Sequence, residues 1–202
     1  MAWEMREDEV DYIDRQQGLR CAACANPLRA MALADTILQP YPGATTLLEL
    51  CQAQPTLRLL EINTAGNLTQ FFRMLPGHRL VEYPDFDMTR LALETGTFDL
   101  VVHSDSLEHV PDPVLALSEC KRVLRDGGLC VFTVPILVDR LTRSRRTLPG
   151  SFHGYPGTEA ADQLVHNEFG LDVSRFVLEA GFSACRISAF EYPAALVISA
   201  VK

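Results

Sequence analysis

The clearest pattern in the chain runs from Thr97 to Pro135, TFDLVVHSDSLEHVPDPVLALSECKRVLRDGGLCVFTVP. Phe98 to Val102 is an apolar run of strand length. A polar loop carrying Pro111 and Pro113 follows, with Asp112 placed to cap a helix. Val114, Leu117, Cys120, Val123 and Leu124 recur at three- and four-residue spacing, which predicts one apolar helical face. Arg122 and Arg125 suit its last turn and Gly127-Gly128 its end. Leu129 to Val134 predicts a second buried strand. A helix between two such strands is a βαβ crossover, so the strands are expected to be parallel and covered on both faces. Ligands of open sheets bind beyond the carboxyl ends of the strands. His103, Ser104, Asp105, Glu108 and His109 therefore fall at the mouth of an expected site.

The same patterning extends on both sides. Leu57 to Ile62 predicts the first strand, turning through Asn63-Thr64-Ala65-Gly66-Asn67 into a helix over LTQFFRML. His78 to Tyr83 predicts the next strand, ending in Glu82, where a carboxylate can accept hydrogen bonds from ribose hydroxyls. Pro84 to Met88 follows at once and leaves no room for the usual helix; Asp87 on this connection is in reach of an adenine amino group. For both acids a solvated loop carboxylate is the competing reading. Val173, Phe176, Val177 and Ala180 mark a last helix stopped by Gly181. Ala184 to Phe190 and Ala195 to Val201, joined through Glu191-Tyr192-Pro193, can only be an antiparallel hairpin.

The remaining segments carry weaker signals. Residues 1–20 read as a polar, irregular arm. Cys21-Ala-Ala-Cys24 supplies half of a tetrahedral zinc site, but no second pair follows, and a turn leading into the helix LRAMALADTIL is the plainer reading. The sequence is therefore divided into residues 1–40, an arm and helix with the CxxC pair, and residues 41–202, an α/β domain. Arg140, Arg143, Arg145 and Arg146 could meet an anion or form a solvated loop. The turn-rich SFHGYPG brings His153 and Tyr155, and His166 follows.

Composition sets the outer bounds. The 202 residues are 48% hydrophobic, enough for one good core. With 18 basic and 26 acidic side chains the formal charge is −8, which argues against a broad phosphate-binding surface and hence against nucleic acid as a partner. Apolar runs are strand-sized, so no membrane partner is expected. The first residues are too acidic for a secretory or mitochondrial signal, and six scattered cysteines suit a reduced, cytoplasmic setting.

With these residues laid out, the chain resembles a class I S-adenosylmethionine-dependent methyltransferase of the "methyltransferase type 11" kind, over roughly Leu57 to Val201. FDLVVHSDSLEHVPDPVLALSECKRVLRDGGLCVFTVP looks like that family's block after the fourth strand, and EFGLDVSRFVLEAGF like a later segment. The resemblance implies an α/β, Rossmann-like, doubly wound sheet of seven strands, mostly parallel with an antiparallel C-terminal strand. It implies S-adenosylmethionine as cofactor and a small-molecule acceptor; a homo-oligomer stays open. Carried over by position, Glu61, Asn63, Ala65, Gly66, Glu82, Asp87, His103 and Ser104 are expected at the cofactor, with Leu107 extending the wall. His103, His109, His153 and His166 are the candidate bases, and no metal is expected beyond the weak Cys21/Cys24 pair. The family's first motif, E-x-G-x-G-x-G, is reduced here to Glu61-Ile62-Asn63-Thr64-Ala65-Gly66, with one glycine. A protein that keeps the fold but serves as a binding or assembly module is the competing reading.

Overall fold

The computed structural model describes residues 5–152 and 161–202. Helices α1 (Glu7–Gly18), α2 (Leu28–Leu38) and α3 (Leu47–Ala53) precede strand β1 (Arg58–Ile62). A 3-10 turn at Gly66–Leu68 opens the short helix α4 (Thr69–Phe72), followed by β2 (Gly77–Val81) and β3 (Phe98–Ser104). Helix α5 (Pro113–Val123) leads into β4 (Leu124–Thr133), and the short strands β5 (Ile136–Leu137), β6 (Arg143–Ser144) and β7 (Asn167–Gly170) follow. Helix α6 (Val173–Glu179) and the strands β8 (Ala184–Glu191) and β9 (Ala195–Val201) close the chain.

The main sheet has the order β2-β1-β3-β4-β9-β8. Its first four strands are parallel, and β9 runs antiparallel to both β4 and β8. Among the described residues the sheet thus has six strands where seven were expected. The missing strand would lie outside β2, and the link from Glu82 to Thr97 contains none. That link instead folds its buried Met88, Leu91 and Leu93 onto the core. Its backbone is satisfied by α5: Arg122 donates to the carbonyls of Leu91 and Leu93, and Glu119 accepts from Leu91 N–H.

Strand alternation divides the core into two layers, as a doubly wound sheet requires. Leu60, Ile62, Val101, Cys130 and Phe132 meet α5 and α6, while Leu59, Leu100, Val102 and Val131 meet α1, α2 and α3. The start of α5 is built as its sequence dictates, with Asp112 accepting from Leu115 N–H at 3.0 Å and Pro113 in the first turn. The helix ends at Val123 rather than at Gly127, because β4 begins directly at Leu124.

Residues 7–18 are not an irregular arm but a helix packed against α2, with Tyr12 and Ile13 in the core layer. The buried face of α1 is Glu9, Tyr12, Ile13 and Gln16, so half of it is polar and breaks the hydrophobic period. Glu9 accepts locally from Arg6 N–H at 2.8 Å and, across the fold, from Arg140 at 2.9 and 2.5 Å. Arg143 and Arg145 in turn both pair with the buried Glu168. These three arginines therefore hold segments together, whereas Arg146 is exposed. Helix α3 was legible in principle: Thr46 and Glu49 form a reciprocal capping box, each accepting from the other's N–H at 3.2 Å.

The Arg140 hydrogen bonds hold the Glu9 carboxyl below its usual range. Its contribution is full at neutral pH and is lost as pH falls through that lowered value. We expect Glu9→Gln to cost about 2 kcal/mol at pH 7 in urea unfolding. The difference from the parent should shrink as both are titrated into acid.

Candidate active site

Beyond the carboxyl ends of β1, β2 and β3 lies a cavity of about 460 Å³, within the range of small-molecule sites. Ile62, Met88, Val110 and Leu115 form apolar walls, and Asn63, Asp87, Ser106, His109 and His166 bring polar groups to it.

The loop after β1 is organised from behind by Glu61. This carboxylate is fully buried, accepting from Ala65 N–H at 2.8 Å and from the Thr69 hydroxyl at 2.6 Å. Its second oxygen lies 2.8 Å from His78 Nε2 on β2. Glu61 thus shapes the turn and does not line the cavity, contrary to the contact expected of it. The turn itself needs left-handed backbone at Asn63 (φ 54°) and Gly66 (φ 61°). Asn tolerates that region better than other side chains. A Cβ added at Gly66 would meet nothing within 4 Å, so open space lies beside it.

Asn63 takes the place of a motif glycine and fills part of the room a glycine would leave. Its carbonyl oxygen accepts from Tyr83 N–H at 3.2 Å, and its amide donates to Ser106 Oγ at 3.2 Å. One side chain therefore joins the loops after β1, β2 and β3. Asp87, also on the wall, accepts from both the N–H and the hydroxyl of Thr89 at 2.8 and 2.7 Å. Glu82 is exposed just past the end of β2, and neither it nor Ala65 nor Gly66 lines the cavity.

The histidines separate sharply. His103 is fully buried and stacked on Phe132, with ring centroids 4.6 Å apart and planes at 14°. Desolvation pushes its pKa down to about 3, so it stays neutral and cannot act as a base at the cavity, from which it is excluded. The reason is pleat parity: His103 shares the inward face of Val101, a direction set by register. Ser104 is turned to Thr133, with the two hydroxyls 2.9 Å apart, and Leu107 is buried in the core. His109 does line the cavity, and its Nδ1 lies 3.1 Å from the Leu164 carbonyl. A carbonyl only accepts, so Nδ1 carries the hydrogen. His166 lies on the same wall, anchored by its own N–H to the Glu108 carbonyl at 2.8 Å. Burial, then the neighbouring His109 and Arg146, hold the His166 imidazole below its usual pKa. His153 and Tyr155 lie outside the described residues.

Helices α1 and α2 reach the rim through Asp105, which has φ 47°. Its carboxylate accepts from Gln17 at 2.6 Å, Arg29 at 2.7 Å and Thr133 at 3.0 Å. The adjacent Ser106 is a cavity wall, so the N-terminal helices are tied one residue away from the site. Between them, Cys21 and Cys24 occupy a tight turn closed by Cys21 N–H to Asn26 at 2.9 Å and Ala25 N–H to Cys21 at 2.8 Å. The backbone N–H groups of Cys24 and Ala23 lower the Cys21 pKa. No third ligand joins this pair among the described residues.

Ser106, Asp112 and Leu115 were missed as wall residues, although they lie within the strongest motif. Tyr83, Phe86 and Met88 were missed because only the collapse of the link after β2 brings them over the site.

A mostly parallel sheet closed by an antiparallel pair, with a cavity at the carboxyl ends of its first strands, defines a Rossmann-like, class I methyltransferase fold. Residues 43–132 match the family described as "Methyltransferase domain". It is 31% identical over 187 residues to an uncharacterised 37.1 kDa protein of transposon Tn4556 from Streptomyces fradiae, covering 87% of this chain and 52% of that protein. It is 35% identical over 85 residues to a ubiquinone biosynthesis O-methyltransferase of Xanthomonas oryzae pv. oryzae, covering 41% and 36%. Among solved structures it is similar to 1,6-didemethyltoxoflavin-N1-methyltransferase of Burkholderia thailandensis, at 18% identity and TM-score 0.47, covering 86% and 78%. The chain thus spans about half the length of the transposon protein and about a third of the O-methyltransferase. Among the described residues no helix is long and apolar enough to cross a membrane.

The cofactor of this family is S-adenosylmethionine. The residues present fit its adenosyl part: the cavity volume is adequate, the walls near Ile62 and Leu115 are apolar, and Asp87 supplies an acceptor. The open space beside Gly66 leaves room for the rest.

Asn63 supports a direct test of this loop. We expect Asn63→Gly to lower stability by no more than about 1 kcal/mol, because relief of the left-handed backbone offsets the lost hydrogen bonds. Asn63→Ala keeps the backbone cost and should lose about 1 kcal/mol more, read from paired thermal melts.

Proposed function

We propose that this chain transfers the methyl group of S-adenosylmethionine to a small-molecule acceptor seated at the His109–His166 end of the cavity. The observation that carries this reading is one cavity joining the loop after β1 to a wall with two histidines. When bound, the cofactor supplies a methyl group already activated on a sulfonium, so much of the catalysis is positioning. Asn63, Asp87 and Ser106 hold and orient the adenosyl side. The apolar walls of Ile62, Met88, Val110 and Leu115 exclude water. His166, kept neutral by its surroundings, takes a proton from a hydroxyl or ammonium acceptor. His109, oriented by the Leu164 carbonyl, braces the same end. A small-molecule acceptor agrees with the name of the Xanthomonas O-methyltransferase and with a cavity whose described walls include no lysine or arginine.

A second reading keeps the fold without the chemistry and is favoured by Asn63. Its side chain crosses to Tyr83 and Ser106 where a glycine would leave the loop open. Binding and turnover separate the two readings. Calorimetry on cofactor-stripped protein should show S-adenosylhomocysteine binding, weakened more than about tenfold in Gly66→Asp, whose carboxylate enters the open space beside the turn. Absence of heat and of any thermal shift at millimolar ligand overturns the proposal. Binding without methyl release from any hydroxyl or amine acceptor tried favours the second reading.

The pH profile should follow His166. Its lowered pKa keeps the base form through neutrality, so turnover holds down to its ordinary value near 6.5 and falls only below it. His166→Gln should lower kcat by about 10²-fold or more and remove that acid limb.

A further inference from the structure

One cluster lies outside the cavity and is unused by the proposed chemistry. His103 on β3, Cys130 on β4 and Cys120 on α5 are each fully buried. A ring nitrogen of His103 and the two sulfurs all lie within 4.8 Å of one another. They meet where α5 crosses the face of the sheet formed by β3 and β4.

Buried cysteines are ordinary, since a free thiol behaves as a small hydrophobe. The histidine is not. Neither of its ring nitrogens has a hydrogen-bond partner, although both are enclosed. A phenylalanine would make the same stack on Phe132 without burying two unsatisfied polar atoms. One of the two ring nitrogens carries a lone pair, and a group that accepts it would give that nitrogen a partner. The two sulfurs beside it name the kind of acceptor: a soft, thiophilic cation.

Donor count selects among such cations. Structural zinc takes four protein ligands. Among the described residues no further histidine, cysteine or carboxylate joins these three. Two sulfurs and one nitrogen match the three-coordinate preference of copper(I).

We propose that His103, Cys120 and Cys130 bind one copper(I) ion. Each thiol that ligates releases its proton to solvent, and the ion's oxidation state does not change. Bound there, the ion ties α5 to the two central strands directly behind the loop that carries Ser106. This site is separate from the exposed Cys21/Cys24 turn, which also offers thiols and must be silenced in the test.

The experiment uses the full chain with Cys21→Ser and Cys24→Ser, kept reduced and anaerobic. Copper(I), delivered from a bicinchoninate complex, is added to the folded protein and, separately, during refolding from denaturant. We expect one equivalent to survive desalting, a raised Tm, and an X-ray absorption signature of two sulfurs and one nitrogen. Cys130→Ser should weaken binding by more than about 100-fold. His103→Phe, which preserves the stack, should fold, lose copper binding, and melt above the metal-free parent. The proposal is overturned if the parent refolds to its native circular dichroism without retaining copper, or if His103→Phe binds it as tightly. Retention of zinc in a four-coordinate site in place of copper overturns it as well.

Discussion

The buried carboxylate of Glu61 is the interaction on which the candidate site depends. It sits one residue before the end of β1, closes the following turn through Ala65 and Thr69, and reaches His78 on β2. A carboxyl group so enclosed is tolerated only with its oxygens hydrogen-bonded, and here Ala65, Thr69 and His78 meet them. The consequence is a turn whose shape is held from below, leaving its upper side to a ligand. This is how a loop with one glycine retains two left-handed positions, at Asn63 and Gly66. Glycine content alone is then a poor measure of whether such a loop is formed.

The second constraint is the absence of an outer strand beyond β2. The link from Glu82 to Thr97 must satisfy its backbone without a ladder, and it does so through Arg122 and Glu119 of α5. The same collapse presses Phe86 and Met88 over the carboxyl ends of the strands, where they become cavity walls. A shortened connection thus removes part of a sheet and builds part of a site. On the opposite rim Asp105 gathers Gln17, Arg29 and Thr133, so the N-terminal helices are joined to the strand end beside Ser106. Division of the chain near residue 40 marks a change in sequence character. The packing is continuous across it, because Tyr12, Ile13 and Leu33 share a core layer with Leu59 and Val102.

Much of this was legible in the chain, for reasons that are local. The β3–α5–β4 unit announced itself because its strands are buried on both faces and its helix carries Asp112, Pro113 and a regular apolar stripe. The closing hairpin followed from a three-residue connection too short for any crossover. The resemblance to a methyltransferase rested on the same segments, and the matched family covers part of that block. Local pattern also marked the strands of the main sheet, and their parallel or antiparallel sense followed from the length of what joins them; the short β5, β6 and β7 carried no such pattern.

What only the tertiary structure decided concerns direction and partnership. His103, Ser104 and His109 are near neighbours in sequence, yet His103 faces the core, Ser104 turns to Thr133, and only His109 meets the cavity. The alternation of a strand is plain from the chain, but which parity is inward depends on register against β1 and β4. Helix α1 was hidden for a related reason: Glu9 belongs to a buried face only once Arg140, far away in sequence, is there to pair with it. Apolar residues declare their burial by themselves, because water rejects them wherever they stand. Polar residues such as Glu61, Asp105 and Glu168 are buried only in company, and the company is assembled by the fold.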